Sequence, residues 1–502
     1  MDDGTETEIK LAASPAMLEQ LSGHPLLAGV DSVEHLESTY FDTADRALAR
    51  AGAALRLRRS EGTAEQTLKL PLVGGDALRR GEWTAPADGL AAPDPARFPE
   101  EPAAALAALL GDAVPLPVLV TRVSRTARRL RFGGSVIEAD FDSGRIEADG
   151  RREEVCELEL ELVEGTLADL LALTIELPLG PELAWSLASK SARGHALAAG
   201  APPTAVPARP VVLDPGVSLG EGLAAIARNC LDQALANSRL VVLHGLPEAV
   251  HQARIAIRRL RAALSLFRAG FEPAGRARFA ASWKAAGHAL GPARDAHVLL
   301  AGVAAAGEAA DPDLRAHLER LRAVATHEAQ AVLAGADFQR LLVSFAAWTE
   351  NGVAAPDMAA QSFGKFAAKV LRRRRRRLAN ACGRLRNLDA EALHDLRIDV
   401  KKLRYGIEST ESLFPDRMTE ARACARDLRD LQDLLGEVND MAVAATRRDS
   451  LFAGLEPGEA ARLSAALAAL HSSHHASRAR LLRRAERKLS RIAEAPTWWK
   501  AR

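Results

Sequence analysis

The segment Thr-Glu-Thr-Glu-Ile-Lys-Leu at residues 5–11 alternates charged side chains with threonine or aliphatic ones. Successive side chains of a β-strand point to opposite faces, so Glu6, Glu8 and Lys10 share one face of a strand. Two carboxylates a few ångströms apart repel each other unless a cation lies between them, and a divalent metal meets that need. Lys10 adds a positive charge for a phosphate. The segment therefore predicts a strand whose charged face binds a metal and a phosphorylated ligand.

The rest of residues 1–200 continues this strand pattern. Alternation predicts further strands at Val33–Asp42, Ala53–Arg59, Glu65–Leu70, Leu116–Ser124, Val136–Asp142 and Val155–Val163. Helices are expected after the Ser14-Pro15 start signal and over Glu100–Leu110. Many strands with charged alternate positions predict an α+β domain built on a closed antiparallel β-barrel with a polar interior.

Basic and acidic side chains fall on different strands of this predicted barrel. The basic positions are Arg56, Arg58, Lys69, Arg122 and Arg125, with Lys190 and Arg193 near the end of the domain. The acidic positions include Asp140, Glu157, Glu159 and Glu161. Arg122 and Arg125 differ in parity and can face together only across a β-bulge. One basic and one acidic wall suit a metal-bound polyphosphate.

The charge balance divides the chain into two halves. Residues 1–200 contain 33 acidic and 20 basic residues, whereas the remainder contains 46 basic and 32 acidic ones. A basic half of this kind indicates a polyanionic partner. The chain shows no signal peptide or membrane span, and its four cysteines form no close pair, so we expect a cytoplasmic protein without a membrane partner.

The second half is predicted to be helical and internally duplicated. Residues 201–215 form a proline-rich linker, and residues 216–495 are rich in Ala, Leu and Arg. The motif that starts at His251 returns 143 residues later at His394. At 100° per residue each copy forms one cationic stripe with a histidine. The two stripes consist of His251, Arg254, Arg258 and Arg261, and of His394, Arg397, Lys401 and Arg404, with Lys402 beside the second.

Residues 1–200 resemble the CYTH superfamily of triphosphate tunnel metalloenzymes. The motifs that match are Glu-Thr-Glu-Ile-Lys at residues 6–10, Tyr-Phe-Asp-Thr at residues 40–43, Leu-Arg-Leu-Arg-Arg at residues 55–59, Glu-Leu-Glu-Leu-Glu at residues 157–161 and Ser-Lys-Ser-Ala-Arg-Gly at residues 189–194. The resemblance implies an eight-stranded tunnel that binds a triphosphate and Mg²⁺ or Mn²⁺. It implies metal ligands at Glu6, Glu8, Glu157 and Glu159, and phosphate ligands at Lys10, Arg56, Arg58, Lys69, Arg122 and Lys190. Asp140 and Glu161 would serve a second metal or orient water.

The helical half resembles the CHAD domain, which is named for its histidines and consists of two four-helix bundles. The His-x-x-Arg motif with its basic continuation matches in both copies. The resemblance implies that inorganic polyphosphate binds in a basic central groove, and a CYTH–CHAD fusion is itself a known arrangement. The loop after the first stripe contains Arg294 and His297 where the second has Asn439 and Ala442. The two halves need not bind equally.

These features predict a metal-dependent inorganic triphosphatase fused to a polyphosphate-binding domain, with association with polyphosphate granules as a further expectation. Hydrolysis of thiamine or nucleoside triphosphates and class IV adenylyl cyclase chemistry remain alternatives within the enzyme class. A non-catalytic polyphosphate- or nucleic-acid-binding protein is the alternative of another class. Aromatic residues make up only 4% of the chain, which argues against stacking on nucleic-acid bases. Chain-length preference and oligomeric state stay open.

Overall fold

The structure is a computed structural model that describes residues 4–60, 62–72, 78–305, 307, 311–472 and 478–499. The chain forms two compact units. The first consists of residues 1–205 together with residues 333–351, and the second of residues 206–332 and 352–502. Among the described residues, no helix combines the length and the apolar composition that a membrane crossing requires.

The first unit contains a single antiparallel sheet that closes on itself. Its strands are β1 (Thr5–Ala13), β2 (Val30–Asp42), β3 (Ala54–Ser60), β4 (Thr63–Pro71), β5 (Arg79–Pro86), β6 (Leu116–Phe132), β7 (Ser135–Ala148), β8 (Arg151–Glu164) and β9 (Leu183–Ser186). The order is β5-β4-β3-β2-β6-β7-β8-β1-β9, and β5 also pairs with β1. Pairing of Glu6 with Arg80 closes eight strands into the expected barrel, and the short β9 lies alongside the end of β1.

All seven strands predicted from alternation are present, and β6, β7 and β8 extend well beyond the predicted bounds. Strand β5 was not predicted, because a glycine interrupts its alternation. Gly81 is required there, since a Cβ at this position would lie 2.3 Å from a ring atom of Trp83. The two helices predicted in this region are also confirmed, at Pro15–Ser22 and Glu100–Leu110.

Aliphatic side chains pack on the outside of the barrel and leave the charged ones inside. Leu55 and Leu57 on β3 and Leu68 on β4 are fully buried in an outer cluster with Leu106. Strand alternation then turns Arg56, Arg58 and Lys69 toward the interior. The barrel is thus a tunnel with an apolar outer layer.

Six α-helices accompany the sheet in the described part of the first unit. They are α1 (Pro15–Ser22), α2 (Ala47–Ala51), α3 (Glu100–Leu110), α4 (Leu167–Glu176), α5 (Lys190–Ala199) and α11 (Ala336–Glu350). The last comes from far along the chain, yet it packs against α4. The side chain of Gln339 on α11 accepts a hydrogen bond from the backbone N–H of Trp185 on β9 (3.1 Å), and Glu350 pairs with Arg79 (2.8 Å).

The second unit is helical, as the composition predicts. Its helices are α6 (Leu219–His244), α7 (Pro247–Leu266), α8 (Pro273–Ala289), α9 (Gly291–Ala305), α10 (Pro312–Ala334), α12 (Phe363–Ala379), α13 (Ala390–Glu408), α14 (Met418–Leu451), α15 (Pro457–Ser472) and α16 (Arg478–Glu494). The two histidine motifs lie on α7 and α13, which pack against each other.

Equivalent residues of the two repeats pack in the same way. The guanidinium of Arg254 lies over Gly291, and that of Arg397 lies over Gly436. The repeats also differ in secondary structure: the first is interrupted at Leu290, between α8 and α9, whereas α14 runs continuously past Gly436. Pro292 explains the interruption, because proline cannot donate the helical hydrogen bond. Arg254 donates to the carbonyl of Gly287 just before the break (3.1 Å).

Candidate functional site

The charged face of β1 points into the tunnel, as its sequence predicts. Lys10 is 8% exposed, and its ammonium contacts Glu8 and, at 2.6 Å, Glu159 on β8. Burial alone would lower the pKa of Lys10, but Glu159 and Glu8 outweigh it and hold the pKa above its ordinary value. Burial would likewise raise the pKa of Glu159, but Lys10, Lys190 and Arg125 hold it well below its usual range. Both groups are therefore charged at neutral pH.

Three carboxylates meet at one end of this network. Asp142, Glu157 and Glu159 each offer an oxygen, and these oxygens all lie within 4.8 Å of one another. Lys190, at the start of α5, contacts all three at 2.6, 2.5 and 3.1 Å. Convergent carboxylate oxygens are the ligands that hard divalent cations prefer. We call these three residues the carboxylate triad.

Arg125 joins the triad to its neighbour Asp140. Its guanidinium contacts Asp140, Asp142 (2.6 Å) and Glu159 (2.8 Å). Burial, which outweighs the effect of Arg125, raises the pKa of Asp140 to about 7. One oxygen of that buried carboxyl, Oδ1, has no hydrogen-bond partner in the described structure. Asp140 is therefore an acceptor next to the triad with unused capacity.

A second group of carboxylates lies where β1, β4 and β5 meet. Lys69 contacts both oxygens of Glu6 at 2.8 Å and Glu82 at 2.9 Å. Arg80 contacts Glu6 at 3.3 Å and also Glu8. Burial and the nearby charge of Glu6 raise the pKa of Glu161, on β8 opposite Glu8, to about 7. A chain of alternating charges thus runs from Glu6 through Arg80, Glu8 and Lys10 to Glu159.

The opposite wall of the tunnel is cationic. Among the described carboxylates, none forms an ion pair with Arg58, whose Nε donates to Ser38 Oγ (3.2 Å). Burial and the charges of Arg56 and Arg125 lower the pKa of Arg58 to about 10. Burial would raise the pKa of the neighbouring phenol Tyr40, but Arg56 and Arg58 outweigh it and lower the pKa. Of the two arginines of this wall, Arg58 has no described carboxylate partner and Arg56 has one, Glu82, at 3.7 Å, so positive charge here is poorly compensated.

The structure places the predicted cations and one predicted carboxylate around a single cavity, except for Arg122 and Arg193, while most of the other predicted carboxylates lie in the ion-pair networks described above. Lys10, Arg56, Arg58, Lys69, Arg125, Glu159 and Lys190 line one cavity. Arg122 does not reach it: its side chain is 44% exposed and pairs with Glu147 and Glu37 on the outside of the barrel. Arg193 lies at the margin, where it contacts Glu153 (2.7 Å) and Glu157 (3.2 Å).

Four residues that lie in or beside this cavity were not predicted from the sequence. Tyr40 and Arg80 line the cavity, Glu82 pairs with Lys69, and Asp142 belongs to the triad. Parity alone could have found Asp142, because it shares the alternation of Asp140 on β7. Arg80 and Glu82 lie on the unpredicted β5 and flank Gly81, so their common face could not be inferred without that strand.

In the helical unit, the two histidine stripes meet between α7 and α13. The burial of Lys401 and the charges of Arg397 and Arg258 lower its pKa to about 8. The Nε atoms of Arg254, Arg258 and Arg397 are buried and have no hydrogen-bond partner in the described structure. We call His251, Arg254, Arg258, Arg397 and Lys401 the α7–α13 cluster. Among the described residues, no carboxylate forms an ion pair with its cations, although Asp295 and Glu248 are near enough to influence Arg254 and His251.

The remaining members of the stripes are placed differently. Arg404 is 9% exposed and bound to Glu408 (2.7 Å), so its charge is already compensated. Burial lowers the pKa of Arg261 on α7. His394 is exposed, and Lys402 lies on the side of α13 that faces α12. His297, which lacks a counterpart in the second repeat, is 7% exposed, and its Nδ1 is unpartnered.

The chain thus combines a closed tunnel of charged strands with a helical unit that carries a cationic cluster. Residues 4–195 match the CYTH domain, and residues 225–449 match the CHAD domain. The chain therefore contains a CYTH domain followed by a CHAD domain.

Known proteins resemble parts of this chain. An inorganic triphosphatase of Haemophilus influenzae is 31% identical over 204 residues, which make up 38% of this chain and 54% of that protein. The match therefore spans about half of the relative's length. The crystal structure of the CHAD domain from the plant Ricinus communis has a TM-score of 0.50 and 27% identity, over 57% of this chain and 96% of that one.

Proposed function

We propose that the CYTH domain hydrolyses inorganic triphosphate to diphosphate and phosphate with the help of a divalent metal. The observation that supports this most directly is Arg58, a partly buried guanidinium that no described carboxylate pairs with. A buried charge without a partner costs free energy, which a bound polyanion would recover. Phosphate oxygens accept paired hydrogen bonds from a guanidinium, so a short phosphate chain suits this wall.

The carboxylate triad is the proposed metal site. Asp142, Glu157 and Glu159 already converge, and a Mg²⁺ or Mn²⁺ ion there would take the charge-balancing place that Lys190 now holds. We also propose Glu6, Glu8 and Asp140 as contributors to metal binding. Lys10 links Glu8 to Glu159, and Arg125 links Asp140 to Glu159. Glu6 is joined to Glu8 through Arg80. When bound, such an ion supplies positive charge to phosphate oxygens and lowers the pKa of a coordinated water.

The protein's own residues would bind and orient the substrate. Arg56 and Arg58 would hold one end of the triphosphate, while Lys10, Lys69 and Arg80 would exchange carboxylate partners for phosphate oxygens. In the reaction a water oxygen forms a bond to the terminal phosphorus as the bridging P–O bond breaks, and diphosphate leaves. Glu161 faces the same tunnel and is the proposed acceptor of the water proton. Positioning and electrostatic stabilisation supply most of the catalysis in such transfers.

A phosphate-release assay across substrates tests this proposal. The full chain is incubated with Mg²⁺ or Mn²⁺ and with tripolyphosphate, long-chain polyphosphate, ATP or thiamine triphosphate, and kcat/KM is compared. We expect tripolyphosphate to be preferred, since the residues that line the cavity are mostly suited to phosphate. A tenfold preference for ATP or thiamine triphosphate would contradict the proposed substrate, and activity that survives EDTA would contradict the metal.

For the CHAD domain, we propose binding of inorganic polyphosphate by the α7–α13 cluster. Crowded cations with unpartnered buried Nε atoms provide unused donors for a linear polyanion. The test is a titration of the full chain with labelled long-chain polyphosphate at near-physiological ionic strength. Arg258→Glu together with Lys401→Glu should weaken binding more than either change alone. Displacement by duplex DNA at equal phosphate concentration would show a general basic surface instead.

A further inference from the structure

Six consecutive arginines at residues 372–377 lie on α12, and the structure separates them into two sets. Arg374 forms an ion pair with Asp399 on α13. The guanidinium of Arg375 lies 4.9 Å from the ring centroid of Trp499 and donates to the carbonyl of Ala495 (2.5 Å). These two arginines attach α12 to neighbouring segments, so their presence is explained by packing.

The other arginines of the segment remain exposed. They continue a row of lysines spaced four residues apart, which one face of a helix presents. The complete set, called here the α12 basic face, is Lys365, Lys369, Arg372, Arg373, Arg376 and Arg377, all exposed. No ion pair joins any of them to another residue within the described part of the chain. From its first to its last residue the face extends about 18 Å along the helix.

The α12 basic face and the α7–α13 cluster lie on neighbouring helices, because α13 packs against both α7 and α12. Burial of Lys402 and the charges of Arg374 and Arg377 lower the pKa of Lys402 on α13. The pKa of its neighbour Lys401 is lowered in turn by Arg258 and Arg254, which lie on α7. The ion pair between Arg374 and Asp399 fixes α12 beside α13. α13 packs against both α7 and α12, so cationic side chains lie on three adjacent helices, with Asp395 and Asp399 near Lys402 as the opposing charges.

We propose that the α12 basic face holds the part of a long inorganic polyphosphate chain that extends beyond the α7–α13 cluster. The inference rests on the proposed polyphosphate binding. A row of uncompensated cations suits a linear polyanion, and the adjacent cluster would deliver the chain to it at high effective concentration. Chains too short to leave the cluster gain nothing from α12, whereas long chains gain several contacts. The second surface thus makes affinity depend on chain length.

The experiment compares two chain lengths on the full protein. Arg373→Gln with Arg377→Gln removes two charges from the α12 basic face and retains a residue with good helix propensity. Arg278→Gln with Arg320→Gln removes two exposed charges from α8 and α10 and is the matched control. Dissociation constants are measured for polyphosphates on the order of ten and of several hundred phosphates, at several salt concentrations.

The α12 variant should lose about tenfold affinity for the long chain and less than about twofold for the short one. The slope of log K against log salt for the long chain should fall by roughly 0.7 for each lost phosphate contact. The control should change neither value. Equal losses for both lengths, or no loss for either, would overturn the inference. Selective loss of duplex DNA binding would assign the face to nucleic acid and overturn it too. Failure of the unmodified protein to bind either polymer would instead refute the proposed polyphosphate binding.

Discussion

At the scale of single residues, a guanidinium inside the tunnel and one outside it should respond differently to neutralisation. Arg58 faces the cavity, whereas Arg122 pairs with Glu147 on the outer surface. A hydrogen bond to a charged group contributes about 1.5–3 kcal/mol, which is roughly ten- to a hundredfold in binding. We expect Arg58→Gln to raise KM for tripolyphosphate by that factor and Arg122→Gln to leave it within about twofold. Similar KM values for the two variants would contradict this assignment.

Glu159 connects the triad to three cations, Lys10, Arg125 and Lys190. Glu159→Gln should lower metal-dependent turnover on the order of a hundredfold, because it removes a ligand charge from the proposed metal site. It should also raise the Mg²⁺ concentration needed for half activation. Glu154→Gln, on the exposed face of the same strand, is the control. Wild-type turnover with unchanged Mg²⁺ dependence in the Glu159 variant would remove this residue from the metal site.

Lys401 should make polyphosphate binding depend on pH. Its pKa of about 8 in the free protein means that it is mostly charged at pH 7 and mostly neutral at pH 9. A bound polyanion favours the charged form, so binding takes up a proton, and affinity should fall as the pH rises from 7 to 9. Lys401→Arg should flatten that dependence, since arginine stays charged. Titrations at constant ionic strength measure this, and an equally steep decline in the variant would contradict it.

At the scale of strands and helices, alternation located seven strands but could not determine their register. Arg122 and Arg125 were both predicted to bind phosphate, subject to a bulge. The pairings of β6 run without interruption past both residues, so only Arg125 faces the tunnel. A bulge depends on how two strands fit together, and a single strand's sequence does not reveal it. The composition of the tunnel wall was predictable, but the choice between these two arginines was not.

Strand β5 was not predicted because Gly81 interrupts its alternation, and this glycine is present for a steric reason. Trp83 covers the position where a Cβ would lie, so Gly81→Ala must displace the ring between β5 and its neighbours. Overpacking of this kind typically costs about 1–3 kcal/mol. We expect this substitution to lower the unfolding temperature of the barrel. The measurement is the loss of the proposed hydrolytic activity after heating. Gly134→Ala, where the nearest atom is 3.9 Å away, should leave that temperature nearly unchanged. Equal unfolding temperatures for the two variants would contradict the steric explanation.

At the scale of the whole molecule, the change from an acidic to a basic half near residue 200 does not predict which unit every helix belongs to. Residues 333–351 belong to the barrel unit, although they lie more than a hundred residues into the basic half. The sequence of α11 is an ordinary amphipathic helix with buried Phe338, Leu342 and Phe345. Its pattern shows that one face is buried but not against what, because packing partners distant in sequence leave no local signal.

The membership of α11 in the barrel unit leads to a prediction about truncation. A chain that ends at residue 205 would leave the surface of α4 that packs on α11 uncovered and would remove Gln339 from the backbone N–H of Trp185. Exposed apolar surface favours aggregation, so this chain should be less soluble and lose activity at a lower temperature than the full protein. Attaching residues 333–351 after residue 205 through a flexible linker should restore much of the difference.

In the full chain, Leu342→Ala offers an independent measurement, because truncation of a fully buried leucine costs about 2–5 kcal/mol. It should lower the temperature at which the proposed triphosphatase activity is lost, whereas Arg340→Ala, an exposed neighbour on α11, should not. If residues 1–205 alone match the full chain in heat resistance and Leu342→Ala has no effect on activity loss, α11 contributes nothing to the stability of the barrel.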